Sequence, residues 1–154
     1  LIQAAPLHDI GKIAIPEDIL NKPGKLNDEE FDIMKTHAFE GKKIIEKATE
    51  NLPDAGYLEE AADMAGYHHE RWDGSGYPEK LSGEQIPLSA RIMAVADVFD
   101  ALVSKRAYKD SFSYEKSISI IKEEAGTHFD PLVVDAFLKS QGDIIAITEQ
   151  LNNE

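Results

Sequence analysis

The stretch Ser89-Ala90-Arg91-Ile92-Met93-Ala94-Val95-Ala96-Asp97-Val98-Phe99-Asp100-Ala101-Leu102-Val103-Ser104 decides the fold class. Ile92, Val95, Ala96, Phe99, Leu102 and Val103 fall on one face at the 3.6-residue spacing of an α-helix, with Asp97 and Asp100 at the edge of that stripe. Upstream, Asn27-Asp28-Glu29-Glu30 offers an N-cap with Glu at N3. It predicts a helix to about Lys47, punctuated by Phe31, Met34, Ile44 and Ile45 and broken near Thr36–His37. A further helix is predicted from Leu58 to His68. Downstream, Ser113 to Ala125 reads as a helix closed by Gly126, and Asp130-Pro131 as a cap followed by Pro at the first position of the next. No stretch shows period-2 alternation, so the expected fold is all-α. The helical pattern fails from Glu70 to Pro87, where Asp73-Gly74-Ser75-Gly76-Tyr77-Pro78, Gly83 and Pro87 mark a long structured loop. Loops of that length inside compact domains are usually functional or disordered. The opening Leu1-Ile2-Gln3-Ala4-Ala5-Pro6-Leu7 reads as the middle of a buried helix, which makes the sequence read as part of something longer.

The chain has 154 residues, a length that suits one domain with a core of its own. Sixteen Lys and Arg stand against 29 Asp and Glu, a net charge of −13. That balance argues against a general grip on a DNA or RNA duplex, which needs a basic footprint. The absence of cysteine removes disulfides, thiolate metal sites and a cysteine nucleophile. No apolar run approaches the ~20 residues that span a bilayer.

Five histidines occur, at positions 8, 37, 68, 69 and 128, and two arrive in company as His8-Asp9 and His68-His69. Imidazole and carboxylate are the ligands of Fe, Mn, Zn and Ni. With His37 and Asp97, these two pairs offer four imidazoles and two carboxylates, more than one tetrahedral ion uses and suited to two metals roughly 3.5–4 Å apart. Taken one at a time, each His is more often a surface or core residue, and spacing alone leaves the metal site an even choice. His128 stands apart and reads as structural. The zincin, dinucleotide and P-loop patterns are all incomplete.

His8-Asp9-Ile10-Gly11-Lys12, Met34-Lys35-Thr36-His37 with Gly41, His68-His69-Glu70-Arg71-Trp72-Asp73-Gly74-Ser75-Gly76-Tyr77-Pro78, Asp97-Val98-Phe99-Asp100-Ala101-Leu102 with Arg106, Tyr108 and Lys109, and Phe129-Asp130-Pro131 form five ordered motifs. Together they resemble the HD-GYP subgroup of the HD superfamily of metal-dependent phosphohydrolases, over nearly the whole chain. The resemblance implies a compact helical bundle over residues 1–154, with 142–154 as a C-terminal extension. It implies hydrolysis of cyclic di-GMP, or a related cyclic dinucleotide, to the linear dinucleotide pGpG and GMP. By position, His8, Asp9, His37, His68, His69 and Asp97 are the implied metal ligands, with Asp9 bridging two ions. Lys12 is implied beside the scissile phosphate, with Asp9 and Lys12 as the catalytic pair. Gly76, Tyr77, Arg106 and Lys109 are implied to hold substrate, and Asp100 to support a ligand from behind. The family also carries a His, and in trinuclear members a Glu, on a helix upstream of the HD motif. The sequence begins at Leu1 without them, so two ions are expected rather than three.

The expected metals are Fe or Mn, with Zn, Ni or Mg as alternatives. A water bridging two such ions loses a proton near neutral pH, and the resulting hydroxide attacks the phosphodiester. Gly74 and Gly76 are expected to supply φ > 0 so that the loop folds over the site. Glu70 has no assigned role. The resemblance further implies a cytoplasmic protein and a sensor or receiver domain in the full-length chain; the oligomeric state is left open, a homodimer among the choices. The competing reading is a binding or docking module that has lost catalysis.

Overall fold

The structure is a computed structural model describing residues 1–104 and 111–153. Among the described residues, two 3₁₀ turns, Ala5–Leu7 and Ile10–Ala14, precede seven helices. These are α1 (Glu17–Leu20), α2 (Asp28–Thr49), α3 (Gly56–Tyr67), α4 (Leu88–Val103), α5 (Tyr114–Glu123), α6 (Pro131–Lys139) and α7 (Gln141–Asn152). The all-α expectation holds: among the described residues the sole β feature is an isolated bridge between Ala125 and Phe129. The chain divides into two compact units, Leu1–Ala94 and Val95–Glu154, with the boundary inside α4.

In the first unit, α2 starts where the sequence says it should. Asn27 Oδ1 accepts from the Glu30 amide at 2.8 Å, and the Asn27 amide donates to Glu30 Oε2 at 2.9 Å. Asp28, Glu29 and Glu30 in the first turn and Lys47 in the last complement the helix dipole. The expected break near Thr36–His37 is absent. Thr36 Oγ1 donates back to the Ile33 carbonyl at 2.6 Å, and His37 and Ala38 are buried, so packing keeps the helix whole. The core joins Ala4, Ile45, Ala61, Ala62, Met64 and Ala65, with Leu7, Ile10, Leu58 and Met93 packed on it. The small residues of α3 let its backbone run close to α2.

The opening residues do not form the expected buried helix. Ala4 is buried, but Ile2 is 92 % exposed and the chain turns in 3₁₀ geometry. Pro6 lacks an amide donor and Gly11 is a poor helix former, so a continuous α-helix is disfavoured here. Gly11 has a second role. A Cβ on it would lie 1.8 Å from the His37 carbonyl oxygen and 2.5 Å from the Gly41 amide nitrogen. Gly41 answers from α2, where a Cβ would stand 3.1 Å from the Gly11 nitrogen. The turn bearing His8 and Asp9 is thus pressed backbone-to-backbone on the middle of α2.

In the second unit, Phe99 on α4 packs edge-on against Phe137 of α6, with ring centroids 5.3 Å apart, and stacks with Tyr114 of α5 at 6.5 Å. Ser113 caps α5 by accepting from the Lys116 amide. Asp130 caps α6 by accepting from the Leu132 amide at 2.8 Å, with Pro131 next. Gly126 takes φ +88° beyond the end of α5. His128 Nδ1 lies 3.0 Å from Glu124 Oε2 and its ring stacks on Phe129 at 4.1 Å, in keeping with a structural role. The C-terminal stretch, assigned no element from sequence, is the helix α7, which buries no residue.

The Gly11 contact gives a direct expectation. Gly11→Ala must push the turn off α2 against backbone atoms that cannot rotate away, costing about 3 kcal/mol or more. Thermal unfolding should fall by roughly 6–12 °C for a chain of this size, while an alanine at Gly24, where nothing lies near the added carbon, should act only through its positive φ and cost less.

Candidate metal centre

Three segments of the first unit bring polar side chains to one place. The turn after Leu7 carries His8 and Asp9, α2 carries His37, and the C-terminal end of α3 carries His68 and His69. Donor atoms of Asp9, His37, His68 and His69 all lie within 4.8 Å of one another. Asp9 faces different partners with its two oxygens. Oδ1 lies 3.5 Å from His37 Nε2 and 3.6 Å from His68 Nε2. Oδ2 lies 3.3 Å from His8 Nε2 and 2.9 Å from Lys12 Nζ. His69 closes the group, its Nε2 3.1 Å from His37 Nε2.

The main chain fixes how the rings point. Nδ1 of His8 donates to the Ala5 carbonyl at 2.7 Å, that of His37 to the Met34 carbonyl at 2.7 Å, and that of His68 to the Met64 carbonyl at 2.8 Å. A carbonyl only accepts, so the proton of each neutral ring sits on Nδ1 and the Nε2 lone pair faces Asp9. His68 Nε2 is buried without a hydrogen-bond partner. Lone pairs aimed at a carboxylate repel it unless positive charge lies between them. Protonating every ring is a poor answer: the His68 and His69 centroids are 4.0 Å apart, and two like charges at about that distance cost ~4 kcal/mol at an effective dielectric near 20. A divalent cation satisfies all the lone pairs at once, and the donor set, imidazole plus carboxylate, fits Fe, Mn, Zn or Ni. Burial alone would push the Asp9 carboxyl up, but the Lys12 ammonium at 2.9 Å, with whatever proton or cation the rings of His37, His68 and His8 hold towards it, keeps it far below the usual carboxylate range. It is therefore ionised, the state in which a carboxylate can hold a metal.

The long loop folds back on this group. The Tyr77 amide donates to the His69 carbonyl at 3.3 Å, and the Tyr77 ring stacks on His69 with centroids 4.9 Å apart. Gly76 departs from expectation. It is not among the glycines with positive φ, unlike Gly74 at +83°. It is glycine for lack of room, since a Cβ would lie 2.4 Å from the Arg71 nitrogen and 2.5 Å from the His69 carbonyl oxygen.

Glu70, for which no role is expected from sequence, organises the loop. It is 2 % exposed. Its Oε1 accepts from the Glu79 amide at 2.7 Å and its Oε2 from the Leu81 amide at 3.1 Å. Burial pushes its pKa up, and the two amide hydrogen bonds oppose that shift. The one sequence signal was an acid directly after two histidines at the mouth of a glycine-rich loop. Asp97 and Asp100 lie on α4 in the second unit, Asp97 half-buried and Asp100 exposed. Asp100 accepts from Ser104 Oγ at 3.4 Å, a local contact. Arg106, Tyr108 and Lys109 lie outside the described residues.

A family model described as HD domain matches residues 1–133. A cyclic di-GMP phosphodiesterase of Vibrio cholerae is 52 % identical over 96 % of this chain and 30 % of its own length. A cyclic di-GMP phosphodiesterase response regulator of Xanthomonas campestris is 46 % identical over 97 % of this chain and 38 % of its own length. A 3′3′-cGAMP-specific phosphodiesterase of Vibrio cholerae is 45 % identical over 96 % of this chain and 27 % of its own length. The chain spans about a third of the length of the curated relatives it matches. The fold is also that of a crystal structure of a cyclic GMP-AMP specific phosphodiesterase of Vibrio cholerae, with TM-score 0.59 and 21 % identity over 86 % of this chain and 35 % of that one.

Two expectations follow from the geometry. Mn²⁺ at a hundredfold excess over its dissociation constant should stabilise the chelator-treated protein by about 2.7 kcal/mol, read as a higher unfolding temperature. Asp9→Ala should lose that increment together with bound metal by elemental analysis. Glu70→Gln turns an amide NH₂ towards one of two buried backbone donors and should cost about 1–3 kcal/mol. Hydrogen exchange at Glu79 and Leu81 should accelerate while that of α2 stays slow.

Proposed function

The chain belongs to the HD domain family, in its HD-GYP branch, and on that premise we propose that it hydrolyses cyclic di-GMP to linear pGpG and onward to GMP. The observation that carries this reading is the division of Asp9: one oxygen faces His37 and His68, the other His8 and Lys12. A carboxylate placed so can bridge two cations, one on each side. His8, Asp9, His37, His68 and His69 are the proposed ligands, with Asp97 added from its place in the family's fourth motif. Fe or Mn is the proposed metal. When bound, two such ions supply an acidified water and neutralise phosphate oxygens.

The protein's own groups do the rest. Lys12, 44 % exposed and 2.9 Å from Asp9, can reach a phosphate beside the ligands. As the P–O3′ bond breaks and the water oxygen bonds to phosphorus, its ammonium meets the growing negative charge and can hand a proton to the departing 3′-oxygen. Tyr77, held against His69 by the loop, presents a hydroxyl on a stiff ring. Gly76 allows the loop backbone to lie that close. Arg106 and Lys109 are proposed to hold phosphates, Arg106 as a bidentate clamp, and Asp100 to support the ligand segment.

The reading extends to the whole protein. A receiver domain is suggested by the relative named a response regulator. Among the described residues no helix is long and apolar enough to cross a membrane. A cytoplasmic setting and a homodimer belong to the same proposal.

The test is release of pGpG from cyclic di-GMP with Mn²⁺ or Fe²⁺ present; no release by the metal-loaded protein overturns the reading. Lys12→Ala should keep its metal while kcat falls by roughly 10²–10⁴. Turnover equal to the parent would make Lys12 a bystander.

A further inference from the structure

Phe31 and Lys35 lie one helical turn apart on α2, and in the folded chain both meet Tyr77 of the long loop. The Phe31 and Tyr77 rings meet edge to face, with centroids 6.3 Å apart at 84°. Lys35 Nζ stands 5.2 Å from the Phe31 centroid and 5.9 Å from that of Tyr77. The same ammonium lies 2.6 Å from Asp32 Oδ1, whose side chain is 71 % exposed. Phe31 itself is 47 % exposed. Tyr77 links this group to the metal-ligand cluster through its stack on His69.

An exposed Asp–Lys pair one turn apart is by itself a weak surface contact. Its setting is what sets this one apart. The ammonium is held over two aromatic rings rather than in open solvent, and one of those rings abuts the candidate metal centre. Aromatic faces stack nucleobases of any sequence, so selectivity must come from the two charges. Guanine presents acceptors at O6 and N7 and donors at N1–H and the 2-amino group. An ammonium fits the first pair and a carboxylate the second. Adenine shares the N7 acceptor but presents a donor at N6 in place of O6 and an acceptor at N1, so an ammonium at the 6-position and a carboxylate at N1 both face the wrong partner.

The geometry points to Phe31, Asp32 and Lys35 as a nucleobase subsite beside the metal centre that selects guanine over adenine. This rests on the cyclic dinucleotide reading above and deepens it. Phe31 supplies the stacking surface, Lys35 donates to O6, and Asp32 accepts from N1–H and the 2-amino group.

The experiment measures binding of GMP and AMP by calorimetry, and kcat/KM for cyclic di-GMP and cyclic di-AMP. Both are taken on the metal-loaded full chain and on Lys35→Met, Lys35→Arg, Asp32→Asn and Phe31→Ala. The parent should prefer the guanine ligand. Lys35→Met and Asp32→Asn should each cut that preference about tenfold or more, the loss of one charged hydrogen bond. Lys35→Arg should keep it. Phe31→Ala should weaken both bases alike by roughly tenfold. A parent that binds GMP and AMP equally, or a preference unchanged in Lys35→Met and Asp32→Asn, overturns the subsite. Cyclic di-GMP turnover with an unmoved base preference sinks the subsite and leaves the hydrolase. A GMP preference that falls in the variants, without cyclic di-GMP turnover, sinks the hydrolase and leaves the subsite.

Discussion

The close approach of Gly11 to α2 is the constraint on which the candidate site depends. Two backbones meet where no Cβ fits, so the His8-Asp9 turn is carried to the level of His37 on the helix. Had either element stood a side chain's width further off, Asp9 Oδ1 could not lie 3.5 Å from His37 and 3.6 Å from His68 at once. Ala65, whose Cβ would be 3.3 Å from one on Gly41, extends the same close packing to α3. Small residues here act as spacers of zero length, and the geometry of the cluster is their product.

A second layer of constraint comes from the main chain. Carbonyls of Ala5, Met34 and Met64 each take an Nδ1 proton, which fixes ring orientation and leaves the Nε2 atoms converging. Backbone acceptors of this kind do for a metal ligand what a supporting carboxylate does elsewhere, settling the tautomer before any ion arrives. Glu70 plays the corresponding part for the loop. A buried carboxylate is unfavourable in itself, and two backbone amides offset that cost by tying residues 79 and 81 to the residue that follows His69. The loop is thus tied to the cluster through Glu70.

Global and local charge pull in opposite directions. A net charge of −13 repels an anionic ligand at long range, though salt screens exposed charges beyond about 8 Å. Capture of any phosphate compound would therefore fall to short-range positive charge: any cation held among the imidazoles, and Lys12 at their edge. The same logic gives Lys35 its interest, because its charge is held over two aromatic rings.

Local chemistry was legible in the sequence. The Asn27–Glu30 box, the Ser113 cap and the Asp130-Pro131 start depend on residues within a turn of one another, and each helix begins where those residues say. The residues of the cluster could likewise be named in advance, since His8-Asp9, His37 and His68-His69 stand in ordered motifs. The unbroken α2, the 3₁₀ turns in place of a buried helix, the spatial need for Gly76 and the role of Glu70 could not be read, because each is set by a partner distant in sequence or by a backbone approach that no residue type announces. Sequence determined which donors exist and which helices carry them. Tertiary structure alone decided that their lone pairs converge on Asp9, because convergence is a matter of distances between chain segments, and those were set by the packing of glycine and alanine backbones rather than by any ligand residue itself.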